Sequence, residues 1–469
     1  MINVIVDALQ RARQTFNPLT LAPGEERVIR VETPVDPLDC LEWLRAQQAA
    51  GELQRRFFWQ ARGAKFVAAG LGIADEVACD EHGKVSDLFK QMQARLGNKA
   101  GRARYYGGMR FDRQRRADGN WLPFGQAAFV LPRFELSRRR DKCVIAWQAL
   151  VNRETDAARL FEDATRLCHQ LTDAPAWNAD APAATQNGAG IEVVGRRDVP
   201  DLAGWTRMIH RVVDAVSIED VSKVVLARRS SLHCAAPPDP LDIVHSLRQV
   251  DPQTYLFVFS LQDRAFLGAP PERLYKRAGT SIETEALAGT RPRGRDDAED
   301  RMFGDELLHS EKDRHEHALV WERISRQLKM LGVDVDEHRE VRLMRLARVQ
   351  HLYSFVDGRV SGSIGETHLL EALHPTPAVG GEPRGLARDM IEELEDFDRG
   401  WYAGPIGWVA NDASEFAVAI RSALAHGPVL HYFSGAGIVG ASDPAAEWSE
   451  IETKMSAFLS ALDGGSHGR

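Results

Sequence analysis

Near the C-terminus, Gly435-Ala-Gly-Ile-Val-Gly is followed by Glu447-Trp-Ser-Glu450-Ile-Glu-Thr-Lys454. Small residues let a backbone loop approach a ligand closely and turn its N–H groups inward. Ser442, Asp443 and Pro444 read as the cap and first turn of a helix, and Ile451, Met455, Phe458, Leu459 and Leu462 give it a buried stripe. Glu447, Glu450 and Lys454 fall beside that stripe. Two carboxylates and an ammonium are therefore expected to face inward beside a backbone cradle for an anion. An exposed Glu450–Lys454 pair, worth only about 0.2–0.5 kcal/mol, has the same spacing.

Lys223 heads the apolar run Val-Val-Leu-Ala-Arg228, and alternation puts it on one strand face with Val225 and Ala227. A strand-end lysine ordinarily extends outward. Glu272 lies in the Pro-rigidified turn Gly268-Ala-Pro-Pro-Glu-Arg. Asp313 and Glu316 continue the apolar line Val320, Ile324, Leu328, Leu331 of a helix expected from about Asp305 to Leu331. Carboxylates on a buried line need a partner, because an unpaired buried charge costs several kcal/mol. His315-Glu-His317 is not a zinc signature, since residues two apart on a helix diverge. Glu283 to Gly294 reads as a strand running into a Gly/Arg/Pro loop, which suits either an anion contact or a solvated turn.

The elements that must position these groups are many. Helices are expected at Val4–Thr15, Cys40–Gln48, Val85–Leu96, Ala157–Leu171, Leu202–Val216, Leu241–Val250, Leu369–Leu373 and Gly385–Leu394. Strands fill much of the rest, including Ala127–Phe134, Lys142–Val151, Tyr255–Ser260, a run from Gly400 to Val409, another from Glu415 through Arg421 to Leu424, and Val429–Gly435. Residues 172–190, rich in Ala, Pro, Asp, Asn and Gly, read as a linker or exposed loop. Antiparallel strands with segregated helices indicate an α+β architecture.

The 469 residues are 44% hydrophobic, with no apolar run of about eighteen residues to span a membrane. The N-terminus reads as having no signal peptide, and five scattered cysteines without CxxC pairs fit a reduced, cytoplasmic protein without structural zinc. A net charge of −8 argues against a nucleic-acid role. Arg113 to Arg116 and Arg138-Arg-Arg140 read as solvated loops.

Taken together, Lys223-Val-Val-Leu-Ala-Arg, Pro270-Pro-Glu-Arg-Leu, Ala288-Gly-Thr-Arg-Pro-Arg-Gly, Lys312-Asp-Arg-His-Glu-His, His374-Pro-Thr-Pro-Ala-Val-Gly-Gly, Arg399-Gly-Trp-Tyr-Ala-Gly-Pro-Ile-Gly and Gly435-Ala-Gly-Ile-Val closely resemble the chorismate-utilising enzymes. That family includes isochorismate synthase, salicylate synthase, and component I of anthranilate and aminodeoxychorismate synthases. The resemblance spans about 195–465. Phe57-Phe-Trp-Gln and Phe129-Val-Leu-Pro-Arg-Phe-Glu-Leu extend a weaker likeness to isochorismate synthases into the N-terminal half.

The resemblance implies a large two-layer antiparallel β-sandwich flanked by helices. An N-terminal part (1–190) and a chorismate-binding part (195–465) would then be interwoven in one unit, as a monomer or homodimer. It implies Mg²⁺ held by Glu316 and Glu450, with Asp313 and Glu447 behind them or sharing the ion through water. It places Tyr402, Arg421, the Gly435-Ala436-Gly437 backbone, Lys454, His351 and Ala378 at the substrate. Adding water at C2 of chorismate and expelling the C4 hydroxyl needs a base and an acid on opposite sides of the ring. Lys223, with a lowered pKa, would be the base, and Glu272, with a raised one, the acid.

Lys223 favours water as nucleophile, because anthranilate synthases generally carry another residue there. Ala378, where pyruvate-eliminating and aminating members tend to have Thr, favours stopping at isochorismate, the precursor of menaquinone or of a salicylate-type siderophore. A salicylate synthase, an aminating subunit and a silent chorismate-binding subunit are the alternatives. Retention of the charged set argues against the last.

Overall fold

The computed structural model describes residues 1–47, 51–97, 102–173, 190–218, 221–336, 340–346, 349–362 and 364–463. Residues 174–189 of the expected linker lie outside these. Among the described residues, no helix is long and apolar enough to cross a membrane.

The strands form two antiparallel layers. The first runs in space from Arg27–Val35 through Lys142–Val151, Ala127–Arg139, Val67–Cys79, Arg56–Gln60, Leu256–Leu261, Arg264–Gly268, Ser422–His426, Val429–Ile438 and Lys223–Cys234 to Val193–Val199. The second begins where Tyr105–Met109 pairs with the start of Ala127–Arg139. It continues through Pro405–Val409, Ala413–Val418, Arg273–Ala278, Ser281–Pro292 and Val349–Arg359. The N-terminal 190 residues thus supply strands to both layers, through Phe58↔Val258 in one and Gly107↔Gly407 in the other.

Alternation along each strand sorts side chains between two cores. On Arg56–Gln60, Phe57 and Trp59 join the core between the layers with Phe257, Phe259, Trp401 and Phe416. Phe58 turns the other way, to the core shared with the outer helices through Leu9, Trp43, Phe161, Ile243 and Phe458.

The structure departs from sequence expectation at three elements that bear on the site. The helix expected over Asp305–Leu331 is two, Asp297–His309 and Glu311–Met330. Ser310, at φ −65° and ψ 111°, breaks the first and caps the second by accepting from the Asp313 N–H. The apolar run from Glu415 to Leu424 is likewise not one strand. Ala413–Val418 belongs to the second layer and Ser422–His426 to the first, and the chain crosses between them at 419–421. Finally, Gly435 to Gly437 form part of the strand Val429–Ile438 and not a loop.

Candidate functional site

Lys223 opens its strand opposite Glu382, and two residues on, Val225 pairs with Gly437. A Cβ at Gly437 would lie 2.5 Å from Lys223 Cε, so only glycine leaves room for the lysine stem. Burial lowers the Lys223 pKa below its ordinary value. Glu316 draws it back up and Lys454 pushes it down, while Glu272 and Glu450 raise it. The lysine therefore does not reach out to solvent as strand-end lysines usually do. The charges it feels come from four of the residues singled out in the sequence.

Glu272 is shifted the other way. Burial, then the nearby Glu285 carboxylate, raise its pKa to about 7, against the opposing effects of Thr376, Lys223 and Arg62. The Thr376 hydroxyl donates to Glu272 Oε1 at 3.2 Å. Glu285 is buried on the adjacent strand and held by Arg62 and by the Arg273 N–H at 2.7 Å. Ala378 is exposed and lines a space of about 20 Å³ together with Glu272 and Thr376. Sequence alone does not single out Thr376, Glu285 or Arg62. Thr376 stands inside the His374-Pro-Thr-Pro-Ala stretch already quoted, whereas nothing local in sequence marks Arg62, which arrives from the N-terminal part.

The residues expected at a substrate carboxylate meet at the crossing between layers. Arg421 sits there with φ +50°, a left-handed conformation uncommon outside glycine. Burial lowers its pKa, and the Asp251 carboxylate stands off at 3.9 Å. The Tyr402 ring is buried and stacks on Phe433, with centroids 5.3 Å apart and planes at 18°. Its hydroxyl lies 3.1 Å from where a Cβ of Gly435 would be.

The Gly435–Gly437 stretch, expected as an amide cradle, is a strand edge. The Val225 N–H donates to Gly380 O at 3.0 Å and the Ala227 N–H to Glu395 Oε1 at 2.8 Å, both away from the neighbouring strand. Their ladder partners Gly437 and Gly435 must then also turn their backbone groups outward. The Gly435 carbonyl indeed accepts from Lys454 Nζ at 2.9 Å, and the strand on that side has ended by Phe433. Ala436, between them, is buried. The buried Glu395–Arg399 pair fixes this geometry, because Arg399 also donates to the carbonyls of Val225 (2.6 Å) and Val379 (3.0 Å).

His351 closes the group. Its Nδ1 lies 3.2 Å from the Gly289 carbonyl and 3.0 Å from Thr290 Oγ1, at a bulge where Gly289 has φ +71°. A carbonyl only accepts, so the proton is on Nδ1 and Nε2 is an acceptor. Burial, then Arg421, hold its pKa at about 4. The ring is neutral at pH 7.

The carboxylates expected to face inward divide. Asp313 is buried and paired with Arg291 at 3.0 Å, whereas Glu316, one turn on, is exposed. Glu447 is half-buried and accepts from the Ser442 hydroxyl at 2.7 Å; burial, then Glu450, raise its pKa. Glu450 is exposed and holds Lys454 Nζ at 2.7 Å. Four carboxylates do not converge. Among the described residues there is no group of three or more His, Cys, Asp or Glu able to hold a metal by themselves. Glu316 and Glu450, both exposed and both felt by Lys223, fit Mg²⁺, which keeps several waters and takes one or two carboxylates plus substrate oxygens.

The family profile described as chorismate binding enzyme matches residues 11–463. The isochorismate synthase MenF of Escherichia coli is 31% identical over 454 residues, 96% of each chain. The salicylate biosynthesis isochorismate synthase of Pseudomonas aeruginosa is 37% identical over 361 residues, covering 76% of this chain and 74% of its own. The solved structure of the menaquinone-specific isochorismate synthase MenF from E. coli superposes with a TM-score of 0.81, covering 98% of this chain and 99% of that one, at 29% identity.

Proposed function

The chain belongs to the chorismate-binding enzyme family, and from that premise we propose how its residues divide the work of an isochorismate synthase. The reaction is the isomerisation of chorismate to isochorismate, which serves menaquinone or salicylate and siderophore pathways. The observation that carries the assignment of roles is a pair of opposed shifts in one site: a lysine pushed toward neutrality and a glutamate pushed toward protonation.

Lys223, neutral, takes the proton from the water that attacks C2. Glu272, protonated, gives its proton to the departing C4 hydroxyl. The proton count closes, since one group gains what the other loses and product release with solvent exchange resets both. The Thr376 hydroxyl holds Glu272 in place at Oε1. Arg421, the Tyr402 hydroxyl and the outward amides of Gly435 and Gly437 take one substrate carboxylate. Lys454, anchored on Gly435 O, lies beside it, and neutral His351 offers Nε2 as an acceptor to a substrate hydroxyl.

Glu316 and Glu450 are the residues that would hold Mg²⁺, while Asp313 stays with Arg291 and Glu447 with the Ser442 hydroxyl. The ion, when bound, would neutralise the second carboxylate. Glu316→Ala and Glu450→Ala are each expected to raise the Mg²⁺ concentration for half-maximal rate by about tenfold or more. Calorimetric Mg²⁺ titration in the presence of chorismate gives the parallel binding loss. Full activity in excess EDTA, after controls for metal carry-over, would remove the metal from the reaction.

Product choice is read at Ala378. A methyl in the space shared with Glu272 and Thr376 offers no hydrogen bond to substrate or to the catalytic pair. Purified protein with chorismate and Mg²⁺ is therefore expected to yield isochorismate with little salicylate or pyruvate, by chromatography and a lactate dehydrogenase couple. Ala378→Thr should raise the pyruvate fraction. Rapid stoichiometric pyruvate from the wild type would make the enzyme a salicylate synthase instead.

A further inference from the structure

Arg62 reaches the Glu272 turn from the N-terminal part of the chain. It opens a single helical turn, Arg62–Ala64, just past the strand Arg56–Gln60. Its guanidinium carbon lies 5.6 Å from the centroid of the Tyr255 ring and 5.9 Å from that of Tyr353. From that seat the fork divides. Nη1 donates to the Pro271 carbonyl at 3.1 Å, and Nη2 donates to Glu285 Oε2. Glu285 accepts at Oε1 from the Arg273 N–H at 2.7 Å. Arg62 and Glu285 therefore grip the residues on either side of Glu272, whose own carbonyl accepts from the Val418 N–H at 3.1 Å. Three successive residues of the turn are each held by a backbone atom.

Two carboxyl groups meet at this grip. Glu272 and Glu285 line the same space of about 20 Å³, room for no more than one water, with Leu287, Val320 and Ile324 among its apolar walls. Both oxygens of Glu285 accept, one from a guanidinium and one from a peptide N–H, which is the pattern a carboxylate satisfies. A negative charge so poorly screened opposes ionisation of the carboxyl beside it. Glu285 indeed follows only burial in raising the Glu272 pKa to about 7. Against it stand the Thr376 hydroxyl, then Lys223, and Arg62 last. Tyr353 and Tyr255 also face Glu285, and burial keeps both phenols protonated by raising their pKa. The Arg273 guanidinium is turned to the Tyr255 hydroxyl at 3.0 Å and to Glu283 at 3.1 Å.

Resting on the roles assigned above, we propose that Arg62 and Glu285 are positioning residues for the isomerisation: the pair grips the turn on both sides of the acid, and the Glu285 charge reserves the acid's proton for the departing hydroxyl. The N-terminal part thereby takes a share in the chemistry through Arg62, although Arg62 itself touches no reacting atom.

The test is the pH profile of kcat/KM for chorismate, measured on the full-length enzyme with Mg²⁺. Glu285→Gln removes the charge and keeps the shape. Without its like-charged neighbour Glu272 ionises at lower pH, so the alkaline limb should move down by about 1 on the pH scale. Glu285→Asp keeps the charge and should leave the limb near its wild-type place. In a Glu272→Gln background Glu285→Gln should not change the profile, since the group it acts through is gone. Arg62→Lys keeps a charge but not the fork that serves two acceptors, so kcat should fall by about tenfold with KM little changed. Should Glu285→Gln fold poorly, Arg62→Gln/Glu285→Gln removes both charges together. The limb should then move the same way by less, because Arg62 opposes Glu285 only weakly. A limb that stays or moves up in the variants lacking Glu285 overturns the proposal. So does an equal displacement in Glu285→Asp, a displacement that persists in the Glu272→Gln background, or an unchanged kcat in Arg62→Lys. A bell retained by Glu272→Gln alone would instead remove the acid assignment on which the proposal rests.

Discussion

Glu272→Gln and Lys223→Ala are each expected to lower kcat by about 10²–10⁴-fold, the usual cost of losing a positioned acid or base, with chorismate affinity nearly intact. On the proposed division of roles neither group is the carboxylate anchor, which would fall to Arg421 and the amide edge. The pH profile separates the roles. The base form of Lys223 grows as pH rises, whereas the acid form of Glu272 falls as pH passes through about 7. Their product gives a bell for the wild type, with limbs that belong to the interacting pair. A side-chain amide cannot ionise, so the residual rate of Glu272→Gln should keep rising with pH and lose the alkaline limb. A bell of unchanged shape in that variant, or near-normal turnover in either, would dismiss the assignment.

Gly437→Ala is expected to cut kcat by about 10²-fold with little change in thermal midpoint. The added methyl would lie 2.5 Å from Lys223 Cε. What yields is the end of a flexible side chain and not backbone, so folding loses little, but the yielding atoms carry the proposed base. Gly435→Ala is the contrasting variant. Its methyl would meet the Tyr402 hydroxyl at 3.1 Å and Leu226 O at 2.8 Å, so it should act chiefly on KM. Equal losses in kcat and KM for both variants would show that the glycines serve strand packing alone.

The candidate site is legible in sequence where chemistry leaves a local mark. Lys223 ahead of an apolar run, Glu272 in a Pro-Pro turn and the Glu450–Lys454 spacing all name residues that the structure brings within mutual electrostatic reach. What escaped was set by tertiary geometry. Phe416-Ala-Val-Ala-Ile reads as one unbroken strand because its apolar pattern continues across the point where the chain leaves one layer for the other. Helical periodicity likewise ran through Ser310, whose capping role depends on a backbone turn that periodicity does not register. The line through Glu316 and Val320 reads as buried, but the buried face of the helix runs through Asp313, His317, Trp321, Ile324 and Leu328, and Glu316 falls to one side of it. Arg138, assigned to a solvated loop, is a buried strand residue whose guanidinium donates to Arg140 O at 3.0 Å.

The pairing of Tyr105–Met109 with Pro405–Val409 joins segments about 300 residues apart. Translation at about 5–20 residues per second leaves the earlier strand waiting about 15–60 s for its partner to leave the ribosome. Arg56–Gln60 waits in the same way for Leu256–Leu261. Neither sheet can close on a nascent N-terminal half, so the chain must carry open strand edges and unburied aromatic faces through most of its synthesis. Yield in a cell is then governed by elongation rate and chaperone supply as much as by the stability of the finished sandwich.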